Sequence, residues 1–449
     1  MLGRLKSSFA PAPHIEPLPE DQVKKKYPRL RWAILESTFL GYATFYLVRN
    51  NLSPVSADME HALGYSHDQV GNILALTAIA YGLGKFLMGS LSDRANPRVF
   101  MATGLLMTAV CNFAFGSVAD YSLHLILWTL NGFIQGMGWP PCGRSIGHWY
   151  SVRERGSIFA VWNVAHNVGG GIAGVLAAWA AGNWDWRYAF YVPGVLAVIG
   201  AVYLFWRLRD TPQSVGLPPV EQYKDDYLLY EGERKDHEQE LSTRALFVDN
   251  ILKNKTLWLV ALANFFVYVV RYSMLDWGPM YLREVKDASL GSGGLAVLVL
   301  EFGGIPSTLL MGWLSDRMGG RRGMVSLLCM IPIIAAFAGI MINPAGRLWL
   351  DMTLLAVVGF FVYPPVMLLG VSALDLTSKK AVGTAAGFVG LFGYLGRSAQ
   401  AKGFGWMADS IGASQGKEAA WNAVLWAILA AAGMSIILLA FTWKIKPRA

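Results

Sequence analysis

The feature that most limits the fold of this chain is a run of about 20 mostly apolar residues, repeated from Trp32 to Trp443 in two batches of about six. That length carries an α-helix across the hydrocarbon core of a bilayer, where the backbone must satisfy its own hydrogen bonds. The first batch covers Trp32 to Ser53, Val70 to Gly89, Val99 to Val118, Ile126 to Trp149, Ser157 to Ala181 and Ala189 to Trp206. The second covers Leu257 to Tyr281, Ser292 to Trp313, Met324 to Ile342, Trp349 to Val371, Val382 to Met407 and Ala420 to Trp443. The expected architecture is an all-α membrane protein of about twelve transmembrane helices. It divides into a tail over 1–31, a six-helix bundle over 32–209, a polar linker over 210–256, a second bundle over 257–443 and a tail over 444–449. Composition agrees: 54% of the residues are hydrophobic and 15% charged, against about 25% charged in a soluble protein, which excludes an ordinary cytosolic enzyme.

Orientation follows from where the charges fall. Of 38 Lys and Arg, 27 lie in the tails, the linker and the even-numbered loops, whereas the odd-numbered loops hold only Arg187, Arg283, Lys286, Arg347 and Lys417. The positive-inside rule places both termini in the cytoplasm and makes the net charge of +8 a matter of topology, so nucleic-acid binding is unnecessary. The first thirty residues carry five prolines and no apolar h-region, and no signal peptide is expected. Cys111, Cys142 and Cys329 lie inside apolar stretches, without the spacing of a disulfide framework or a zinc site, and read as inert packing. No metal or cofactor is expected.

The two batches share sequence. Tyr46-Leu47-Val48-Arg49 aligns with Tyr268-Val269-Val270-Arg271 at an offset of 222, and Gly89-Ser-Leu-Ser-Asp93-Arg94 aligns with Gly312-Trp-Leu-Ser-Asp316-Arg317 at 223. A duplicated six-helix unit of this kind commonly holds substrate at the repeat interface, near the bilayer midplane. Six cations stand in or at the ends of the apolar runs, namely Arg49, Lys85, Arg144, Arg271, Arg397 and Lys402. An arginine at mid-membrane costs from about 2.5 to over 10 kcal/mol unless it faces a cavity or a partner. Arg49 and Arg271, one per repeat, form a candidate anion clamp, because guanidinium forks match phosphate oxygens bidentately. Tyr42, Tyr46 and Arg49 fall at i, i+4 and i+7, as do Asn264, Tyr268 and Arg271, which puts each trio on one helix face. The residues alone leave a second reading open, in which either arginine snorkels from a helix end.

Other candidates carry paired readings too. Lys85, one turn from Tyr81, is placed to reach an anion or to pair with Glu301, the clearest acid inside an apolar run. His166, one turn after Asn163, is a substrate contact or a satisfied core polar residue. Tyr363, ahead of Pro364 and Pro365 that are expected to break the tenth helix, and Tyr394 are hydrogen-bonding candidates or packing tyrosines. Asp93 with Arg94, and Asp316 with Arg317, sit at helix ends where salt bridges would steady one conformation. Gly169-Gly170-Gly171 has no preceding strand and no Lys-Ser or Lys-Thr pair, so close helix packing explains it better than a phosphate loop.

The Gly-x-Leu-Ser-Asp-Arg turns, continued by Arg98 in one half and by Arg321 and Arg322 in the other, resemble the loop signature of the major facilitator superfamily. More narrowly, Tyr42-Ala-x-x-Tyr46-Leu-Val-Arg49, Tyr81-Gly-x-x-Lys85-Phe, Gly136-Met-Gly-Trp-Pro-Pro-Cys-Gly143, Trp162-Asn163-x-Ala-His166-Asn167-Val-Gly-Gly-Gly171 and Asp210-Thr-Pro-Gln-Ser-x-Gly-Leu-Pro-Pro219 resemble the organophosphate:phosphate antiporters. Within that family these motifs are most similar to the glycerol-3-phosphate branch, and Tyr268-x-x-Arg271, Asp276-Trp277, Tyr363 and Gly390-x-x-Gly393-Tyr394 continue the likeness through the second half.

That resemblance implies exchange of glycerol 3-phosphate for inorganic phosphate across the bacterial cytoplasmic membrane by a rocker-switch, with phosphoglycerate or hexose phosphate as alternative substrates. It favours His166 as a substrate contact, and Asp276 and Glu301 are counted as gate residues. Two departures bear on it: Asn50 stands where the branch usually has lysine, leaving Asp276 without the implied gate partner, and Arg397 replaces a glycine three residues after Tyr394. Arg397 projects to the cavity as a third cation, suited to a substrate with a second anionic group, or else pairs with an acid or snorkels outward. Glu301 could instead relay protons. A non-transporting sensor of the same fold and, less readily, an intramembrane hydrolase built on His166 are the competing classes. One duplicated chain supplies both bundles, so a monomer in lipid, with small-molecule organophosphate and phosphate as partners, is the expected unit.

Overall fold

The computed structural model describes residues 9–92, 95–225, 252–376 and 382–445, and among these the secondary structure is helical, with no strand. The first half comprises α1 (Glu20–Leu47), α2 (Ser56–Leu63), α3 (His67–Ser92), α4 (Pro97–Ser117), α5 (Tyr121–Gln135), α6 (Trp139–Trp149), α7 (Val152–Asn183) and α8 (Tyr188–Arg207). After the short α9 (Val220–Lys224), the second half comprises α10 (Lys255–Asp276), α11 (Gly278–Val285), α12 (Leu290–Arg317), α13 (Arg322–Ile342), α14 (Leu348–Asp375), α15 (Val382–Gln415) and α16 (Lys417–Ala440). Nine of the described helices are by themselves long and apolar enough to span a membrane. The other three crossings are α1, whose first turns carry Lys24, Lys25 and Lys26, the α5–α6 pair, and the glycine-rich α15.

Three boundaries differ from the sequence expectation. The fourth crossing is two helices, divided at Gly136–Gly138, with Pro140 in the first turn of α6. A proline there loses only an N–H that had no intrahelical partner. The tenth crossing is not broken at Pro364 and Pro365; α14 runs through both, as membrane helices allow when neighbouring groups take up the freed carbonyls. The first crossing extends outward to Glu20 with Pro28 inside it.

The halves meet along two helix pairs, α3 with α15 and α7 with α12. Small residues let these backbones approach: an added Cβ at Gly71 would lie 2.6 Å from the Ala401 carbonyl, and one at Gly294 would lie 2.5 Å from that of Gly174. Gly170 and Gly171 serve the same end, facing Glu301 and Phe302 of the other half, while Gly169 lets α7 approach Ala43 of α1 within the first half. The first part of the linker is strapped beneath the first half. Asp210 accepts from the Ala12 amide and pairs with Arg144 at 2.9 Å, Ile15 and Leu18 amides donate to Gln213 and Gly216 carbonyls, and Tyr27 stacks on Tyr223. Residues 226–251 lie outside the described residues.

Within the first half, Gly136 abuts Gly84 so closely that a Cβ would sit 2.4 Å from its carbonyl carbon and 2.6 Å from the Lys85 amide nitrogen. Gly136→Val is therefore expected to lower the melting temperature of the purified protein by several degrees, whereas Gly433→Val, at a position with no neighbour within 4 Å of the added carbon, leaves it nearly unchanged.

Candidate functional site: a ring-lined cation chamber between the halves

Arg49 and Arg271 are the two buried guanidinium groups that make no ion pair among the described residues, at 7% and 6% exposure, and both Nε atoms are buried without a hydrogen-bond partner. Aromatic faces surround them instead. Arg49 Cζ lies 3.7 Å from the Tyr46 ring centroid and 4.8 Å from that of Tyr81; Arg271 Cζ lies 4.5 Å from Tyr363, 5.0 Å from Tyr272 and 6.0 Å from Tyr268. A ring quadrupole attracts a cation without neutralising it. His166 joins the two groups, its ring 5.9 Å from Tyr46 and 5.8 Å from Tyr363, in the other half. Its Nδ1 donates to the Asn163 carbonyl at 2.5 Å, which fixes the tautomer and leaves Nε2 for a ligand. Tyr394 completes the circuit, packed edge-on against Tyr81 at 5.0 Å and Tyr268 at 5.7 Å.

The geometry separates the remaining candidates. Tyr42 is buried, stacked on Trp162 at 5.0 Å, and packs behind Tyr46. Lys85 does not pair with Glu301; its ammonium lies 4.8 Å from the Trp139 ring centroid, on α6. Glu301, fully buried on α12, accepts from Asn167 of α7 at 3.1 Å, a hydrogen bond across the halves. Asp276 does have a partner: Arg397 holds it with two hydrogen bonds, of 2.8 and 3.2 Å, and Gln400 donates to it at 2.7 Å. Arg397 is thus tied to an acid of its own half, with the Tyr272 ring 4.1 Å from its Cζ. The continuous face expected for Tyr42, Tyr46 and Arg49 ends early, because α1 stops at Leu47 and Arg49 lies in the following turn. Arg317 packs over Trp313; Asp93 and Arg94 lie outside the described residues, as does the side chain of Asp316.

Sequence reasoning missed Tyr272, Trp139 and Asn167 as parts of this site. It also missed a polar cluster at the end opposite the linker, although His67 and Asp68 head the second crossing and could have signalled it. There Asp58 pairs with Arg283, Asp68 with Lys402, and Ser53 Oγ donates to the Leu275 and Asp276 carbonyls. His67 Nε2 meets Glu284 at 3.2 Å and Nδ1 meets Asp409 at 3.1 Å, both in the other half, with Glu60 at 3.8 Å, Lys417 on Glu284 and the Trp421 indole donating to Glu284. Both ring nitrogens face carboxylates, so only the imidazolium donates to both. Burial pushes the Glu60 carboxyl up to about 8, with Glu284 and Asp409 adding to it against His67. Glu284 is also pushed up by burial, but hydrogen bonds from His67 and Trp421 outweigh this and hold it down to about 2. Apart from the Asn167–Glu301 contact and the meeting of Tyr81 with Tyr394 in the chamber, the polar contacts between halves among the described residues lie at this end, which is the closed one. Toward the linker end, a Cβ added at Gly89 or Gly387 would meet nothing within 4 Å.

A Major Facilitator Superfamily profile matches residues 38–401. The chain belongs to this superfamily. Within it, the chain is 41% identical over 98% of both sequences to the glycerol-3-phosphate transporter of Bacillus subtilis. It is 39% identical, over 97% of this facilitator and 96% of the relative, to a probable hexose phosphate transport protein of Chlamydia pneumoniae. It is 38% identical to the membrane sensor protein UhpC of Salmonella typhimurium, over 87% of this chain and 89% of that one. These likenesses put the facilitator in the organophosphate:phosphate antiporter family. Its fold also matches an inward-facing bacterial homologue of the human lysosomal transporter Spinster, with a TM-score of 0.71, 16% identity, and coverage of 94% of this chain and 99% of that one.

Two outcomes follow for this facilitator. Between pH 4.5 and 8 the closed cluster holds a proton on Glu60 that a separated, solvated Glu60 would have lost, so closure weakens as pH rises through that window. Glu284 acts oppositely and further down, withdrawing its support only as pH falls from 4.5 toward 2. Spin labels on α2 and α11 should report a growing separated population from pH 6 to 9, and Glu60→Gln should reduce that response, leaving the part that comes from loss of the His67 proton that bridges Glu284 and Asp409. Arg397→Gly strands Asp276 as a buried charge and is expected to destabilise the protein by about 3–5 kcal/mol in thermal unfolding, with Arg397→Gly/Asp276→Asn recovering most of it.

Proposed function

We propose that the protein exchanges glycerol 3-phosphate for inorganic phosphate by alternating access, with both termini in the cytoplasm of a bacterium and the chain acting as a monomer in its inner membrane. The observation that carries the reading is the pair of buried arginines, one per half, that pack against rings and make no ion pair among the described residues. Two guanidinium forks approached from opposite halves suit a phosphoryl dianion, which accepts from both at once. In this reading His166 Nε2 adds a third contact and the Tyr363 and Tyr394 hydroxyls further ones. The high identity to a glycerol-3-phosphate transporter supports the three-carbon substrate.

Electrostatics then explains obligatory exchange. Without an anion, Arg49, Arg271 and Lys85 repel one another when the halves approach at the linker end; a bound phosphoryl group offsets the repulsion and draws them together. Opening the opposite end requires parting the His67 cluster and the Asn167–Glu301 bond, so those contacts serve as the gate. Arg397, engaged with Asp276, is a gate component in this scheme and not a substrate ligand.

The test is counterflow from liposomes loaded with radiolabelled phosphate. External glycerol 3-phosphate should trigger efflux faster than phosphoglycerate or glucose 6-phosphate, with no efflux into buffer alone. Arg49→Lys and Arg271→Lys should each slow exchange about tenfold or more, the effect of a lost charged hydrogen bond of about 1.5–3 kcal/mol. Folded protein that binds the organophosphate and releases no label would favour a sensor role, which the likeness to UhpC makes the second reading.

A further inference from the structure

Arg49 and Arg271 occupy matching positions in the repeat, yet their backbones are held by different means. Arg271 lies within the unbroken α10 and takes its placement from the helix ladder. Arg49 follows the end of α1, in a turn where its amide and that of Asn50 both donate to the Tyr46 carbonyl. A helix that stops inside a membrane protein leaves its last carbonyls without partners, and each such group in an apolar interior must be met by another donor.

Two asparagines meet that demand at Val48, and a third ties down the chain beyond Arg49. The Val48 carbonyl, immediately before Arg49, accepts from Asn112 Nδ2 of α4 at 3.1 Å and from Asn131 Nδ2 of α5 at 3.0 Å. Asn51, two residues after Arg49, donates to Asn112 Oδ1 and to the Ala189 carbonyl of α8, both at 2.8 Å. All three side chains are fully buried. The backbone on either side of Arg49 is thereby tied to three helices of its own half, and the guanidinium folds back over the Tyr46 ring at 3.7 Å. Among the described residues no counterpart surrounds Arg271, where Val270 stands inside the helix and the partner of the nearby Asn264 is the Val389 carbonyl of α15.

We infer that Asn51, Asn112 and Asn131 are positioning residues for Arg49, a side-chain amide brace that sets one arm of the phosphate clamp. The inference rests on the proposed role of Arg49 as a phosphate ligand. The brace acts on affinity: a loosened Val48 carbonyl lets the turn relax and misaims the guanidinium, whereas the conformational cycle, governed by the gate at the closed end, proceeds at its usual rate.

The experiment is a pair of double-mutant cycles read by half-saturation for phosphate in phosphate–phosphate exchange. Asn131→Leu, close in volume and lacking the donor, should raise half-saturation about three- to tenfold with the maximal rate within about twofold. Combined with Arg49→Lys it should add little further loss; combined with Arg271→Lys the two losses should multiply. A purely structural amide would multiply with both arginine variants, or would lower the maximal rate with half-saturation unchanged, and either result overturns the brace. If Asn131→Leu yields no folded protein, Asn131→Ser carries the same cycles, with phosphate-induced thermal stabilisation as the readout. An unchanged half-saturation in Arg49→Lys itself would instead overturn the clamp.

Discussion

A guanidinium buried at the centre of a membrane protein has to be stabilised by something, and what that something is decides what the protein can do. A carboxylate makes a closed pair with no residual field. The ring faces around Arg49 and Arg271 stabilise the cation while leaving its charge and at least one donor uncommitted. The rest of the architecture follows from keeping two such groups dry and apart: two six-helix halves, a run of small residues that brings them together along α3–α15 and α7–α12, and an ion-paired cluster that seals one end.

Charge accounting in the interior shows the same division. Arg144, Arg397 and Lys402 each find an acid, in Asp210, Asp276 and Asp68. Lys85 rests over an indole. The paired cations tie elements together, Lys402 across the two halves and Arg144 and Arg397 within one half, whereas Arg49 and Arg271 keep to rings in the chamber. Asn50 and Arg397 belong in one explanation: the cation missing from the first-helix position is met by one from α15, so Asp276 remains neutralised while its link to the first half passes to backbone carbonyls that accept from Ser53.

Much of the fold was readable because membrane solvation imposes one length and one period on every crossing, and because Tyr46–Arg49 and Tyr268–Arg271 repeat at a constant offset. What escaped the sequence is local and depends on neighbours. Nothing in Leu47 or Val48 announces a helix end; Asn112 and Asn131, far away in the chain, make it tolerable. Gly136 and Gly138 do mark the split in the fourth crossing, but glycine is also the residue of close helix approach, so the two meanings separate only in three dimensions. Pro364 and Pro365 gave the opposite error, since a bundle interior re-satisfies the carbonyls that a lone helix would lose. The pairing of Arg397 with Asp276 joins residues 121 positions apart, a relation that no spacing rule supplies.

The aromatic lining has a kinetic meaning as well. An anion entering a site whose cations were held by carboxylates would have to displace a tethered rival, and on leaving it would be chased out by the same rival, so occupancy would depend on a contest between two negative groups. Tyr46, Tyr81, Tyr272 and Tyr363 offer no such contest. In the proposed exchange they receive the guanidinium groups when the ligand goes and yield them when the next one arrives, so that successive ligands can differ in shape, or in the group they carry beyond the phosphoryl oxygens, without any change in what the chamber must give up to admit them.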